Sequence, residues 1–198
     1  VGYKDNVVAK SQNELEYIFL VKKTFTKRAT NPASAVSGCW YLTKIEDVVG
    51  NAVVFTFEGA DPTKPTKVSI KPNGGGSIDM LELKYYSSGK LMMVYNPKSK
   101  DAVVLRYSDT YNGSISASAT KYLCRIDYAK GTSSVTDTNW QSFAASANNR
   151  TNITLQASAS YTYDSSGRLT SVSDGLAGQK LSYTWSASKV STLVQYAG

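Results

Sequence analysis

Apolar residues recur at every second position over most of this chain, and short runs of glycine, serine, asparagine and aspartate interrupt them at close intervals. The clearest case is Tyr161-Thr162-Tyr163, where both rings fall on one face of a pleated strand and the hydroxyl falls on the other. Asp164-Ser165-Ser166-Gly167 then predicts a tight turn, because short polar side chains bond nearby backbone and glycine accepts positive φ. Leu169 and Val172 begin a second strand, Asp174-Gly175 marks the next reversal, and Leu181, Tyr183 and Trp185 alternate along a third.

The same pattern extends upstream. Leu15, Tyr17, Phe19 and Val21 alternate and predict a strand within 13–25, and 28–37, with Asn31-Pro32 inside it, predicts a loop. Residues 59–65 predict a second loop carrying two prolines, Val68 and Ile70 lead into Pro72-Asn73-Gly74-Gly75-Gly76, and Ile78 starts the return strand. The alternation from Ile115 to Tyr122 predicts another strand. Trp140 and Phe143, set in the polar stretch 130–149, predict a short helix that caps a sheet edge.

Several of these strand and turn groups repeat one another. Leu83, Tyr85, Ser87-Ser88-Gly89-Lys90-Leu91, Val94 and Asn96 parallel Tyr161, Tyr163, Ser165-Ser166-Gly167-Arg168-Leu169, Val172 and Asp174, and Tyr85 to Tyr107 spans the same 22 positions as Tyr161 to Tyr183. A partial copy begins at Trp40, where Leu42, Ile45 and Asp47 keep the spacing of Leu169, Val172 and Asp174, and Val53, Phe55 and Phe57 stand for Leu181, Tyr183 and Trp185. A fragment recurs at Leu123 and Ile126. Hairpins that repeat in this way bury their faces by stacking on neighbours. The expected fold is all-β, with consecutive antiparallel β-hairpins stacked into a twisted, partly open repeat sheet. Residues 1–37 are expected to be an N-terminal strand and loop region, and 38–198 degenerate hairpin repeats, clearest at 83–107 and 161–185. Tyr163 should then pack against a neighbouring hairpin.

Tyr161 to Leu169 together with Leu42 to Asn51 resembles the tyrosine-aspartate (YD) repeats of Rhs-type bacterial proteins, which have relatives in insecticidal toxin complexes, teneurins and wall-associated proteins of Gram-positive bacteria. The sequence departs from that motif at Tyr86, which replaces the aspartate, at Trp40, which replaces the glycine, and at Gln179, which stands where arginine is usual. The resemblance implies a non-catalytic shell or scaffold segment of a larger secreted or cell-surface protein. Its partners would be flanking repeats or domains of the same polypeptide, an encapsulated C-terminal domain or a surface glycan. Unmatched strand edges at either end, such as that of 192–196, also suit a piece of something longer.

Charge and candidate chemistry change this picture little. The formal charge of +7, from 22 basic and 15 acidic residues, is spread beside predicted turns and forms no dense block, so it reads as solvated surface and not as a nucleic-acid site. No apolar run is long enough to span a bilayer. The two cysteines, Cys39 and Cys124, are 85 positions apart, which excludes a CxxC or zinc-knuckle spacing and leaves either one long-range disulfide or two small buried hydrophobes. With no histidine, the commonest general base and the usual catalytic zinc sets are absent. We therefore assign no catalytic, cofactor-binding or metal-binding residue and expect no enzyme. Glu46, Asp47, Asp79 and Glu82 are carboxylates in which a glycosidase pair would have to be sought, and they read as turn-forming or solvated acids. Tyrosine, at 14 residues, offers a second function, a surface adhesion or carbohydrate-binding module using exposed rings, against the reading that the rings pack between sheet layers.

Overall fold

The computed structural model describes residues 2–8, 18–27, 40–58, 64–111 and 114–196, with side chains from residue 42 onward within these ranges. Thirteen strands and one helix form there: β1 (Gly2–Val8), β2 (Ile18–Lys27), β3 (Trp40–Glu46), β4 (Ala52–Phe57), β5 (Pro65–Lys71), β6 (Ile78–Tyr85), β7 (Leu91–Asn96), β8 (Asp101–Ser108), β9 (Tyr122–Gly131), α1 (Asp137–Ala145), β10 (Ile153–Tyr163), β11 (Leu169–Asp174), β12 (Lys180–Ser186) and β13 (Lys189–Tyr196). The chain divides into two compact units, 1–82 and 83–198, with the boundary inside β6. In the first unit β1 to β6 pair antiparallel in sequence order. In the second, β7 to β13 do the same. The fold is all-β, built of consecutive antiparallel hairpins, and open at β13, which pairs only with β12 among the described strands.

Three hairpin turns share one backbone design. At 47–51, 86–90 and 164–168 the first residue's N–H donates to the carbonyl four residues on, and the fourth residue's N–H donates back to the first residue's carbonyl. The fourth residue is Gly50, Gly89 or Gly167, at φ of 93°, 82° and 77°, a left-handed conformation that a Cβ makes costly. Asp164 completes its turn by accepting from the N–H groups of Ser166 and Arg168, and Asp47 does so from Val49 and Asn51. The Asp174 N–H instead reaches Gln179, one residue further. The first copy therefore matches the later ones through Asp47 and Asp164, whereas sequence spacing had set Asp47 beside Asp174.

Other expectations change as well. No strand forms over 114–121: Ser116 accepts from the Ser118 N–H in a local turn, Asp109 accepts from the Thr120 N–H eleven residues on, and strand pairing begins at Tyr122. Pro65 is not loop but the first residue of β5, opposite Phe57, a strand position where its missing N–H is tolerated. The readings of 13–17, 28–37, Cys39 and 59–63 lie outside the described residues, as does the boundary at 37/38.

The helix at Trp140 and Phe143 forms, but it does not cap an edge. It lies on the face of the sheet against β8 and β10, which are both interior strands. Thr136 starts it through a capping box with Asn139. Trp140, Phe143 and Ala144 are buried over Met93, Tyr95, Ala102, Val104, Ala129 and Ile153, which makes this layer the main core of the second unit.

Candidate functional site

Beneath the C-terminal end of α1 lies a charged cluster whose centre, Arg106 and Asp127, is closed off from solvent. Strand alternation puts Arg106 of β8, Asp127 of β9 and Ser158 of β10 on the face that α1 covers, and cross-strand register brings Asp127 opposite both Val104 and Ser158. Arg106 and Asp127 have no exposed surface, and their ion pair is 2.9 Å. Asp127 also accepts from Arg125 at 2.6 Å and from the Ser158 hydroxyl at 2.7 Å. The other end of the Arg106 guanidinium donates to the carbonyls of Phe143 and Ala144, which the end of a helix leaves unpaired, and lies 4.6 Å from the centre of the Phe143 ring. Tyr86 donates to Leu105 and Ala144 carbonyls at 3.0 and 3.3 Å.

Burial pushes the Asp127 carboxyl upward, but the hydrogen bonds from Ser158, Arg125 and Arg106 and the arginine's charge outweigh it and hold the group below the ordinary carboxylate value. Burial likewise draws Arg106 down, against the opposing pull of Asp127. Through Nε and one terminal nitrogen of Arg106, and through Arg125 and Ser158 on Asp127, the cluster ties three strands to the helix, while the other terminal nitrogen of Arg106 is buried without a hydrogen-bond partner among the described residues. Tyr86 occupies the turn position that Asp164 holds in the last copy, so the departure from the repeat motif falls where the helix needs an anchor.

A second arrangement surrounds the last repeat. Arg168 pairs with Asp164 at 2.7 Å, donates to the Ala187 carbonyl and lies 5.7 Å over the Trp185 ring, whose N–H donates to Leu169 at 2.7 Å. One arginine thus joins the β10–β11 turn to the β12–β13 turn. Tyr163 donates to the Leu123 carbonyl at 2.8 Å and its ring centre is 5.1 Å from that of Tyr122. It packs on the neighbouring β9 as the repeat predicts, though only half-buried. We expect Tyr163→Ala to cost about 2–3 kcal/mol in urea unfolding, toward the low end for an aromatic truncation because part of the ring stays wet. An unchanged midpoint would contradict this packing.

The carboxylates singled out from the sequence are engaged in local structure. Asp47 is the turn acceptor described above, Asp79 is held by Lys67 at 2.6 Å and Ser69 at 2.7 Å, and Glu46 pairs with Lys44 at 2.8 Å. Glu82 stands across from Lys67 in the β5–β6 register. Among the described residues no group of three or more Asp, Glu, Cys or His side chains is placed to hold a metal. Cys124 carries a free thiol, half-buried, whose pKa burial raises. Ring contacts join Tyr86 to Tyr107, Tyr95 to Trp140 and Tyr122 to Tyr163 inside the sheet layers, whereas the exposed tyrosines, Tyr111, Tyr128 and Tyr196, stand on separate elements.

Sequence reasoning missed the Arg106 cluster; the signal that could have found it is a charged residue, Arg106, at the same strand parity as the small apolar residues Ala102 and Val104.

No family model matches the sequence, and no curated protein matches it. Solved structures do. A crystal structure of TcdB2-TccC3-TEV matches 93% of this chain with a TM-score of 0.55 at 12% identity. The Tc holotoxin pore of Photorhabdus luminescens, in a TccC3 mutant form, matches 79% with a TM-score of 0.51 at 14% identity. This chain spans 8% and 7% of the length of those chains. At such identities the likeness is one of fold, and it supports an Rhs-like β-fold.

Proposed function

We propose that this chain is a non-catalytic structural segment of a larger secreted or cell-surface bacterial protein, where its YD-type hairpins form part of a β-repeat shell or scaffold. The observation that carries this reading is the turn built three times with the same hydrogen bonds and the same left-handed glycine, at 47–51, 86–90 and 164–168. A fold shared with small stretches of very long toxin chains supports it. Among the described residues Asp47, Asp79, Asp127 and Glu46 are engaged by turn backbone, neighbouring cations or hydroxyls. The partners are flanking repeats or domains of the same polypeptide, and the repeats are taken to occupy 38–198 after an N-terminal region.

An antibody raised against the 198-residue chain tests this. We expect it to detect a polypeptide several times longer, in the secreted or envelope fraction of the producing cells. Detection of a short cytosolic product alone would overturn the reading. Glycan-array binding separates the adhesion alternative: saturable binding lost on replacing Tyr111 or Tyr128 by alanine would favour that alternative over a scaffold.

A further inference from the structure

The turn between β5 and β6 is Pro72-Asn73-Gly74-Gly75-Gly76, in which an asparagine precedes a residue without a side chain. Residues 73–76 are all exposed. Gly74 is left-handed at φ 68°, and no atom lies within 4 Å of where its Cβ would stand. The turn closes through the Gly75 N–H, which donates to the Pro72 carbonyl at 3.0 Å. The Asn73 N–H donates to the Asn51 side-chain oxygen at 3.0 Å, and Asn51 donates in turn to Asp47, so this tip is tied to the 47–51 turn. Among the described residues the Gly74 N–H and the Asn73 side-chain amide have no hydrogen-bond partner. The amide rests on the backbone of Gly50, where a Cβ would come within 3.0 Å of its Cγ and Oδ1.

We infer that Asn73 is a site of spontaneous deamidation in the folded chain, with water as the only co-reactant. The nucleophile, the Gly74 backbone nitrogen, follows the electrophile, Asn73 Cγ, in the same chain, so attack closes a five-membered ring and needs no second molecule. A hydrogen bond to either group would have to break first, and a side chain at position 74 would crowd the approach. This turn imposes neither cost.

The Gly74 nitrogen bonds to Asn73 Cγ and gives its proton to solvent base, while the side-chain nitrogen takes a proton from water and leaves as ammonia. Water then opens the cyclic imide at one of its two carbonyls. Breaking the bond to Cγ leaves an ordinary aspartyl residue, and breaking the bond to the main-chain carbonyl leaves an isoaspartyl residue, whose main chain runs through Cβ and Cγ. Either product has one carboxylate more, which lowers the formal charge from +7 to +6. Asn73 lines a cleft of about 380 Å³ with Lys44, Glu46 and Lys71, so the new carboxylate arises beside two ammonium groups. The isoaspartyl form also lengthens the main chain by one methylene, which a turn closed between Pro72 and Gly75 cannot absorb with its hydrogen bond intact. The bond from Asn73 to Asn51 depends on the same geometry, so the modification unties the two turns.

The 198-residue chain tests this when it is held in mildly alkaline buffer, once folded and once unfolded in guanidinium chloride, with circular dichroism confirming each state. Cleavage after lysine and arginine releases Val68 to Lys84, whose only side-chain amide is Asn73, while the second Asn-Gly pair, at 112–113, falls in another peptide. The expected result is a mass gain of one dalton in Val68 to Lys84, part of it as a second, isoaspartyl peptide of equal mass. The rate in the folded chain should lie within about ten-fold of that in the unfolded chain. No gain, or a larger deficit, would mean that the turn holds the two atoms apart, and overturns the inference. In the folded isoaspartyl fraction, separated from the parent by its lost unit of positive charge, amide exchange over 72–76 should be faster; unchanged exchange there would overturn the untying of the turns. The scaffold reading is independent of both results.

Discussion

Asp127→Ala should lower unfolding stability by about 3–5 kcal/mol, because it strands the Arg106 guanidinium, wholly buried, without its counter-ion. The two helix carbonyls that Arg106 also binds are dipoles and cannot replace a full negative charge, and Ser158 loses its acceptor at the same time. Replacing both ions by apolar residues, as in Arg106→Met with Asp127→Leu, should recover most of the loss, since the desolvation cost of the pair vanishes with it. Urea unfolding of the three variants decides the matter: a loss under about 1 kcal/mol for Asp127→Ala would mean that the cluster is not closed to water. The pH dependence follows the same group. Its folded-state pKa is held below the unfolded value, so its stabilisation is fully present above about pH 4 and is lost as pH falls through the folded value. Asp164, whose first cause is the Arg168 backbone N–H, shifts in the same direction, as do Asp47 and Asp174, each hydrogen-bonded within its turn. Acid unfolding below pH 4 should therefore be shallower in Asp127→Ala than in the parent chain.

The hairpins were legible because each turn writes its geometry into a few adjacent residues. Asp164 and Gly167 carry the acceptor and the left-handed φ of their turn, and the period of two on either side fixes the strands. The covered face was not legible in the same way. Along β8 the larger apolar residues Val103, Leu105 and Tyr107 alternate, yet the buried row is Ala102, Val104, Arg106 and Ser108, and Val103 is 36% exposed. What decides the face is α1, which arrives from 137–145 and brings its bulk in Trp140 and Phe143, so small residues such as Ala102 and Ala129 are what fit below. No local pattern in β8 encodes the arrival of a distant helix. Arg106 and Asp127 lie on that covered face, and a period of two along each strand does not tell a covered polar position from a solvated one. The alternation over 115–121 failed differently: the Ser118 and Thr120 N–H groups are taken by the side chains of Ser116 and Asp109 and not by a neighbouring strand.

Phe143→Ala should cost about 3–5 kcal/mol, comparable to the loss at Asp127 and above that at Tyr163. Phe143 has no exposed surface, its ring stands edge-on to Trp140 with centres 6.2 Å apart, and its face is the apolar and π-contact side of Arg106. Removing the ring leaves a cavity between helix and sheet that Ala102 and Ala129, already small, cannot fill by moving. Water admitted to that cavity would raise the local dielectric around Arg106 and Asp127 and weaken their attraction. The two losses should consequently fail to add: Phe143→Ala with Asp127→Ala should cost at least 1 kcal/mol less than the sum of the single variants, because each already removes part of what the other relies on. Additivity within about 0.5 kcal/mol would show that the ring and the ion pair hold α1 independently. Phe143→Leu, which keeps most of the volume but not the π face, should lose only about 1–1.5 kcal/mol, and the share that remains after that substitution measures how much of the helix anchor is packing and how much is the contact with the guanidinium.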